Sequence, residues 1–267
     1  MSSNTVHGNG IIAARRRQFI YELALEHGSV SVADLSAKLG VAENTIRNDL
    51  THLHRDGKLV RSYGGAVLRE EGIPAPPYSQ VKDKHMIEKS WIGKAAAALL
   101  PDRSSVFVNA GSTAYQLALN IRDKSQISVT TNSPEIALLL SSNRAISVDL
   151  IGGKMSSDSL ETDGSLSRDY IDMLYWDIVF YGISAIDLEH GITSINLPVA
   201  LFESTVVKKG RKIIGLCDSS KFGTFAHAGV GPIGMLDVLV TDDNVKPSTI
   251  ERLEREGIKV VIAGPDQ

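Results

Sequence analysis

Three of the four residues from Pro74 to Pro77 are proline. Proline lacks the amide that a helix interior or a sheet ladder needs, so no regular element is expected to run through this point. Such a run favours an extended spacer between bodies that pack separately. The chain is therefore read as a loose tail (1–10), a first domain (11–68), a linker (69–81) and a second domain (82–267). A length of 267 residues suffices for two domains of ordinary size.

Charge, taken over the whole chain, argues against a nucleic-acid partner: 28 Lys and Arg stand against 31 Asp and Glu, a net of −3. Divided at the prolines, the balance changes meaning. Residues 1–72 carry nine basic and eight acidic side chains, net +1, and the remainder carries −4. This excludes a polycationic coat and leaves room for local positive charge in the first domain. A chain with 43% hydrophobic and 22% charged residues is neither disordered throughout, nor collagen, nor a coiled-coil rod. The lone Cys217 excludes an intrachain disulfide framework and suits a reducing cytoplasm. The most apolar run, residues 95–100, is far shorter than the roughly 20 residues a bilayer span needs. Glu22 and Glu26 interrupt the stretch after Arg15-Arg16-Arg17, so no secretory segment is expected. The expectation is a cytoplasmic protein with no membrane partner.

In the first domain, residues 12–26 place Ile12, Phe19, Ile20, Leu23 and Ala24 at helical spacing, and Gly28 ends the pattern. Ser29-Val30-Ser31 reads as a short extended link. A second helix starts at Val32, with Ser31 as N-cap and Asp34 in its first turn, and Gly40-Val41 turns the chain. A third helix, from about Glu43, puts Ile46, Leu50 and Leu53 on one face, and Gly57 stops it. Residues 59–63 and 66–68 flank Gly64-Gly65, a hairpin signal. Three helices and a hairpin in this order form a winged helix-turn-helix, whose third helix enters the DNA major groove through its N-terminal half. Glu43, Asn44, Thr45, Arg47 and Asn48 face outward there. Arginine reads guanine, asparagine reads adenine, and threonine meets a thymine methyl or a phosphate. Arg61 and Tyr63 fall on the wing, and Arg15, Arg16 and Arg17 on the first helix are candidate phosphate contacts. The expected partner is a double-stranded DNA operator. The plainer reading is a small helical domain for protein contacts, with solvated charges.

The second domain repeats a strand, a small polar loop and a helix. Residues 105–108 lead to Asn109-Ala110-Gly111-Ser112-Thr113, and residues 127–130 lead to Thr131-Asn132-Ser133-Pro134. Residues 145–151 lead to Gly152-Gly153-Lys154, and residues 177–180 to Tyr181-Gly182-Ile183-Ser184. Residues 212–217 lead to Asp218 and on to Lys221 and Gly223, and residues 238–240 and 259–262 complete the set. Strands apolar on both faces suit a mostly parallel sheet covered by helices. Ligands bind such sheets beyond the carboxyl ends of the strands. There, Gly111-Ser112-Thr113 opens a helix whose amides and hydroxyls can hold a phosphate. Gly152-Gly153 permits close backbone approach, and Lys221 adds a cation. Taken singly, each has a plainer reading: a helix cap, a turn, a solvated lysine. The histidines, His227 among them, show no ligand spacing, so no metal or cofactor is expected, and Cys217 reads as inert core.

Val30-Ser31-Val32-Ala33-Asp34-Leu35, Leu39-Gly40-Val41, Thr45-Ile46-Arg47-Asn48-Asp49-Leu50 and Gly64-Gly65-Ala66 resemble the N-terminal domain of DeoR-type bacterial transcription repressors. The loops at 109–113, 130–133, 152–153, 180–182 and 218–223 resemble the sensor domain of the same family. The resemblance implies an α/β chain, with a winged helix-turn-helix joined to a mostly parallel domain related to ribose-5-phosphate isomerase and CoA-transferase folds. It implies a homo-oligomer that represses carbohydrate genes under control of a phosphorylated sugar. Carried onto this chain, its effector contacts fall at Asn109, Gly111, Ser112, Thr113, Thr131, Asn132, Gly152, Gly153, Gly182, Glu203, Asp218 and Lys221. The chain departs from the family pattern in several places. Ala42, Asn48 and Tyr63 stand where the family usually has Ser, Arg and His, and Asn109 stands for Asp. Gly164-Ser165 stands for Gly-Pro, Val199 for Glu and Glu203 for a base; Glu203 is a candidate replacement for the missing carboxylate, one helical turn on.

A rival reading is a sugar-phosphate isomerase-like enzyme with an added DNA-binding domain. Isomerisation needs a general base beside the substrate carbonyl, and acids around it. The isomerase relatives carry two Asp in an Asp-Gly-Ala-Asp loop. Tyr181-Gly182-Ile183-Ser184 has neither carboxylate, so binding without turnover is expected. A third reading is an architectural DNA-binding protein with no ligand, which a ligand-dependent rise in melting temperature would separate from a sensor.

Overall fold

The computed structural model describes residues 13–265, except 28, 57, 63–64, 69–81, 157–158, 164–166 and 195–196. The chain separates into two compact units, Met1–Pro74 and Ala75–Gln267. The expected tail and linker lie outside the described residues.

The first unit runs α1 (Ala13–His27), β1 (Ser29–Ser31), α2 (Val32–Leu39), α3 (Glu43–Arg55), β2 (Leu59–Ser62) and β3 (Gly65–Leu68). Local chemistry sets the helix ends. The Asp34 amide donates to Ser31 Oγ at 3.1 Å, and Gly40 turns in the left-handed region at φ +63° to close α2. The α3 N-cap, Ala42, makes no side-chain capping hydrogen bond. Ile20, Ala24, Val32, Leu35, Ile46 and Leu50 pack into the core, continued by Leu53, Leu59 and Ala66. Phe19 is 38% exposed, contrary to expectation, because Ile20 and Ala24 at i and i+4 take the inward stripe of α1. Two further details correct the sequence reading. Register places Ser62 opposite Gly65, so Gly65 is the first residue of β3 rather than part of the turn expected at Gly64-Gly65. The supposed link β1 is a strand, pairing with β3 in a sheet of order β1-β3-β2. Gly65 makes that pairing possible, since a Cβ there would lie 2.1 Å from the Val30 carbonyl oxygen.

The second unit opens with α4 (Met86–Ala97), then β4 (Ser105–Val108), α5 (Ser112–Ile121), β5 (Ile127–Thr131), α6 (Pro134–Ser141) and β6 (Ile146–Leu150). Next come α7 (Arg168–Asp172), β7 (Ile178–Gly182), β8 (Ala185–Asp187), β9 (Gly191–Ser194), α8 (Leu197–Val207) and β10 (Ile213–Leu216). The last elements are β11 (Ala228–Gly231), β12 (Val238–Asp242), α9 (Pro247–Arg255) and β13 (Lys259–Ala263). The seven expected strands form one sheet of order β13-β12-β10-β7-β4-β5-β6, every neighbouring pair parallel. The period of two sorts its side chains into two cores. Val106, Val108 and Phe180 pack with Ile92, Leu117 and Ile136 beneath α4, α5 and α6. Phe107, Val179 and Tyr181 pack on the opposite face with Ala200, Phe202 and Leu253 from α8 and α9. A small antiparallel sheet, β11-β9-β8, joins that second face and was not expected. Its strands are three or four residues long, too short for periodicity to announce them. No helix among the described residues is long and apolar enough to cross a membrane.

Candidate DNA interface and ligand site

On α3, Glu43, Asn44, Arg47 and Asn48 are exposed and Thr45 is partly buried. Arg47 Nη2 lies 2.6 Å from Glu43 Oε2, with both side chains about half exposed (51% and 49%). An exposed i,i+4 pair of this kind is worth only about 0.3–0.5 kcal/mol, so a base or phosphate can displace Glu43 at small cost. Arg16 corrects the sequence reading. Its Nε sits 2.5 Å from Asp49 Oδ2, and the two side chains are 13% and 6% exposed, so it ties α1 to α3 rather than facing a phosphate. Arg15 is exposed, and Arg17 Nε donates to the Ala13 carbonyl at 3.2 Å. Only the backbone of Arg61 is described, and Tyr63 lies outside the described residues.

In the second unit the parallel strands bring all their carboxyl ends to one edge. The chain leaves β4 for β5 and β6 on one side, then returns to β7, β10, β12 and β13 on the other, so strand order reverses beside β4. Such a reversal opens a crevice between neighbouring strand ends. Asn109 bridges it: its Nδ2 donates to the Gly182 carbonyl at 3.1 Å, and the Gly182 amide donates to its Oδ1 at 2.7 Å. Gly182 matters here because a Cβ would stand 3.2 Å from that Oδ1. Next in the chain, Gly111 takes φ +133° as the N-cap of α5 and brings no capping side chain. The first turn of α5, which begins with the buried Ser112 and Thr113, thus receives no side-chain cap.

Thr131 and Asn132 arrive at the same edge as scaffolding. Thr131 Oγ1 accepts from the Ser133 amide at 3.1 Å. Asn132 Oδ1 accepts from the Ala110 amide at 2.8 Å, while its Nδ2 donates to Glu161 Oε2 and to the Thr162 carbonyl. Gly152 and Gly153 come after β6, the edge strand, two strands away from β4, where the Gly152 carbonyl accepts from Ser167 Oγ at 3.1 Å. Past β10, Asp218 Oδ1 accepts from the Ser220 amide and hydroxyl, which forms the turn carrying Lys221. Asp218 is 1% exposed, and its Oδ2 is buried with no hydrogen-bond partner among the described residues.

Two groups at this edge were missed in the sequence. Lys89, on α4, is 1% exposed. Burial pulls its pKa down, the Asp218 carboxylate opposes this, and the like charge of Lys221 adds to it, which places the three groups within electrostatic reach. The signal was present: Lys89, Ile92, Gly93, Ala96 and Ala97 are the buried stripe of α4, and Lys89 is the charged member. Gly93 lets α4 lie against α5, since a Cβ there would be 2.5 Å from the Gln116 backbone. The second group is Glu161, partly buried, whose pKa burial raises.

Glu203, on α8, accepts from Tyr181 Oη at 3.0 Å. Burial, helped by the Glu161 charge, pushes its pKa up to about 8, although Tyr181, Ser194 and Asn109 donate toward it and pull the other way. Tyr181 is raised well above its ordinary value by burial and stays protonated. Cys217 is buried, and burial pushes its thiol well up. Asp187, the carboxylate nearest after the Tyr181-Gly182-Ile183-Ser184 loop, accepts from the Glu189 and His190 amides at 2.9 Å and so organises a turn.

The chain matches two family models: a DeoR-like helix-turn-helix domain over residues 16–71, and a DeoR C terminal sensor domain over residues 84–243. It is 30% identical to a candidate aga operon transcriptional repressor of Escherichia coli O157:H7, over 94% of each chain. It is 28% identical to the glycerol-3-phosphate regulon repressor of Escherichia coli K12, over 85% of this chain and 90% of that one. Among solved structures, ribose 5 phosphate isomerase A from Neisseria gonorrhoeae aligns with 51% of this chain and 53% of its own, at 14% identity and a TM-score of 0.38. A DNA-binding head and a sensor domain, matched in order along one polypeptide, place this chain in the DeoR family of transcriptional repressors of sugar operons.

Proposed function

We propose that a phosphorylated sugar bound at the carboxyl edge of the sensor sheet controls operator binding by the head. The observation that carries this reading is the convergence of Lys89, Lys221 and Asp218, whose buried Oδ2 has no hydrogen-bond partner among the described residues, at the strand-end edge where α5 also starts without a capping side chain. Two cations and a helix N-terminus are the usual means of holding a phosphate. The Asp218 carboxylate orients the lysines or accepts a ligand hydroxyl. Asn109, Thr131, Asn132 and Gly182 hold the loops in register around that cradle. The ligand is bound and not converted on this reading: the Tyr181-Gly182-Ile183-Ser184 loop after β7 carries no carboxylate, and Asp187 beyond it is engaged by the Glu189 and His190 amides rather than free to act as a base.

On this reading the protein works as a cytoplasmic homo-oligomer that sets two heads on paired half-sites, with α3 in successive major grooves. DNA affinity changes to the extent that the ligand prefers one arrangement of heads over another. A melting-temperature screen of the full chain with ribose 5-phosphate, glucose 6-phosphate and glycerol 3-phosphate tests the site against the same compounds lacking phosphate. At a concentration of about 100 Kd a bound ligand adds about 2.7 kcal/mol of stability, easily read as a rise in Tm. The rise should disappear in Lys89→Ala and in the Ser112→Ala/Thr113→Ala double variant, while operator footprints persist. A flat screen, or a rise that survives both variants, overturns the assignment.

A further inference from the structure

The seven-stranded sheet has two edges, and they are built differently. β13 opens on the exposed Lys259, and a lysine on an edge discourages a further strand. β6, at the other edge, reads Ile-Ser-Val-Asp-Leu, with neither lysine nor proline. It pairs over its whole length with β5, and among the described strands nothing lies on its outer side. The Ile151 amide donates to the Thr131 carbonyl at 2.8 Å, which fixes the alternation of this ladder. Ser147 and Asp149 therefore turn their main-chain groups inward to β5, while Val148 and Leu150 turn theirs outward. The Ile146 carbonyl also points outward, its amide being taken by the Asn143 carbonyl at 3.1 Å.

The side chains of this edge sort by face. Val148 packs against the core beneath α6, and Leu150 continues the same face with 48% of its surface exposed. Leu138, on α6, which packs against β6, is 76% exposed. On the opposite face stand Ser147 and Asp149, both exposed.

We propose that two copies of this chain join through β6, antiparallel about a two-fold axis at Val148, so that their sheets become continuous. This rests on the reading of the protein as a homo-oligomer and names the surface that makes it one. Self-complementarity identifies the occupant. Full overlap of two such strands sets Val148 opposite Val148 of the partner subunit, and Ile146 opposite the partner's Leu150. The outward main-chain groups then meet as hydrogen-bonded pairs, and apolar side chains face apolar ones. On the other face Ser147 meets the partner's Asp149, a hydroxyl donor against a carboxylate, and symmetry repeats the contact. The charged residue of the strand thus never faces its own kind. In this arrangement the carboxyl edges of the two sheets, with the loops at 109–113 and 218–221, face opposite ways.

Sedimentation velocity of the full chain over a concentration series reads the association directly. Ser147→Asp sets a carboxylate against the partner's Asp149 and should raise the dimer Kd at least about tenfold. Adding Asp149→Ser exchanges donor and acceptor, and should return the Kd to within about threefold of the native value. A fold defect would not be repaired by that exchange, and circular dichroism verifies the fold of both variants. Val148→Cys should give a disulfide-linked dimer on mild oxidation, because a hydrogen-bonded antiparallel pair sets its Cα atoms about 5.5 Å apart. The native Cys217 is buried and does not compete. A native chain that stays monomeric overturns this inference together with the homo-oligomer reading. A native oligomer that Ser147→Asp leaves unchanged, and that Val148→Cys does not cross-link, overturns the assignment to β6 and leaves the oligomer standing.

Discussion

The head and the sensor domain bury charge in different ways. In the head, Arg16 and Asp49 meet across 33 residues of sequence and close an ion pair between α1 and α3. Both ends of that interaction belong to the fold, so the head is electrostatically complete before it meets DNA. In the sensor domain, Asp218 Oδ2 is buried with no hydrogen-bond partner among the described residues, and Glu203 lies within reach of the Glu161 charge. Buried charge that finds its counterion inside the chain is structural. A buried polar group at the strand ends that the fold leaves without a hydrogen bond is open to one from outside.

Three perturbations test this contrast. Removing one end of the closed pair should have the largest effect. Asp49→Ala removes this carboxylate from the partly buried Arg16 and should destabilise the head by about 3–5 kcal/mol in urea unfolding, with operator binding lost as the head unfolds. Replacing both partners with apolar side chains should recover most of that loss. If Asp49→Ala instead costs no more than an exposed pair, the head is not closed in the sense described.

The sensor domain should respond in the opposite direction. A buried carboxyl whose pKa is raised to about 8 binds its proton more tightly in the folded state than in the unfolded chain, whose carboxyl titrates near 4.5. Its contribution to stability is complete below pH 4.5 and is lost as pH rises through about 8. Between pH 6 and 8 this amounts to a loss on the order of 2–3 kcal/mol. Glu203→Gln removes the ionisation, so the stability of the sensor domain should become flatter with pH over that interval. A native profile that is already flat, or one that the variant leaves unchanged, breaks the comparison on the sensor side.

The smallest effect belongs to the exposed charges of α3. Arg47→Ala should cost about 1–3 kcal/mol in specific operator binding and relax discrimination at one base position. The stability of the head should change by no more than about 0.5 kcal/mol, because its pair with Glu43 is exposed. Unchanged footprints and affinity would remove Arg47 from the recognition surface.

Much of the fold was legible from local rules. Ser31 caps α2 and Gly40 closes it because capping depends on residues three or four apart. The seven parallel strands showed as apolar runs ending in small polar residues, and the loops at 109–113 and 218–221 were found by that pattern. Short antiparallel strands such as β8 and β9 were not legible, having too few residues to carry a period. Lys89 escaped notice because charge on a helix is ordinarily solvated. Its place in the stripe of Ile92, Gly93, Ala96 and Ala97 was the clue.

The sequence alone determined the order of the head helices and of the seven parallel strands, the caps of α2 and the division into two bodies, because each is set by spacing along the chain. Tertiary structure decided which charges serve the fold and which face a partner. Arg16 and Arg47 look alike as letters, yet one is sealed against Asp49 and the other lies in solvent beside Glu43. Lys89, Asp218 and Lys221 come within electrostatic reach only once α4 packs over the strand ends. The physical reason is the same in each case: solvation and pairing depend on neighbours brought from distant parts of the chain, and periodicity cannot report them.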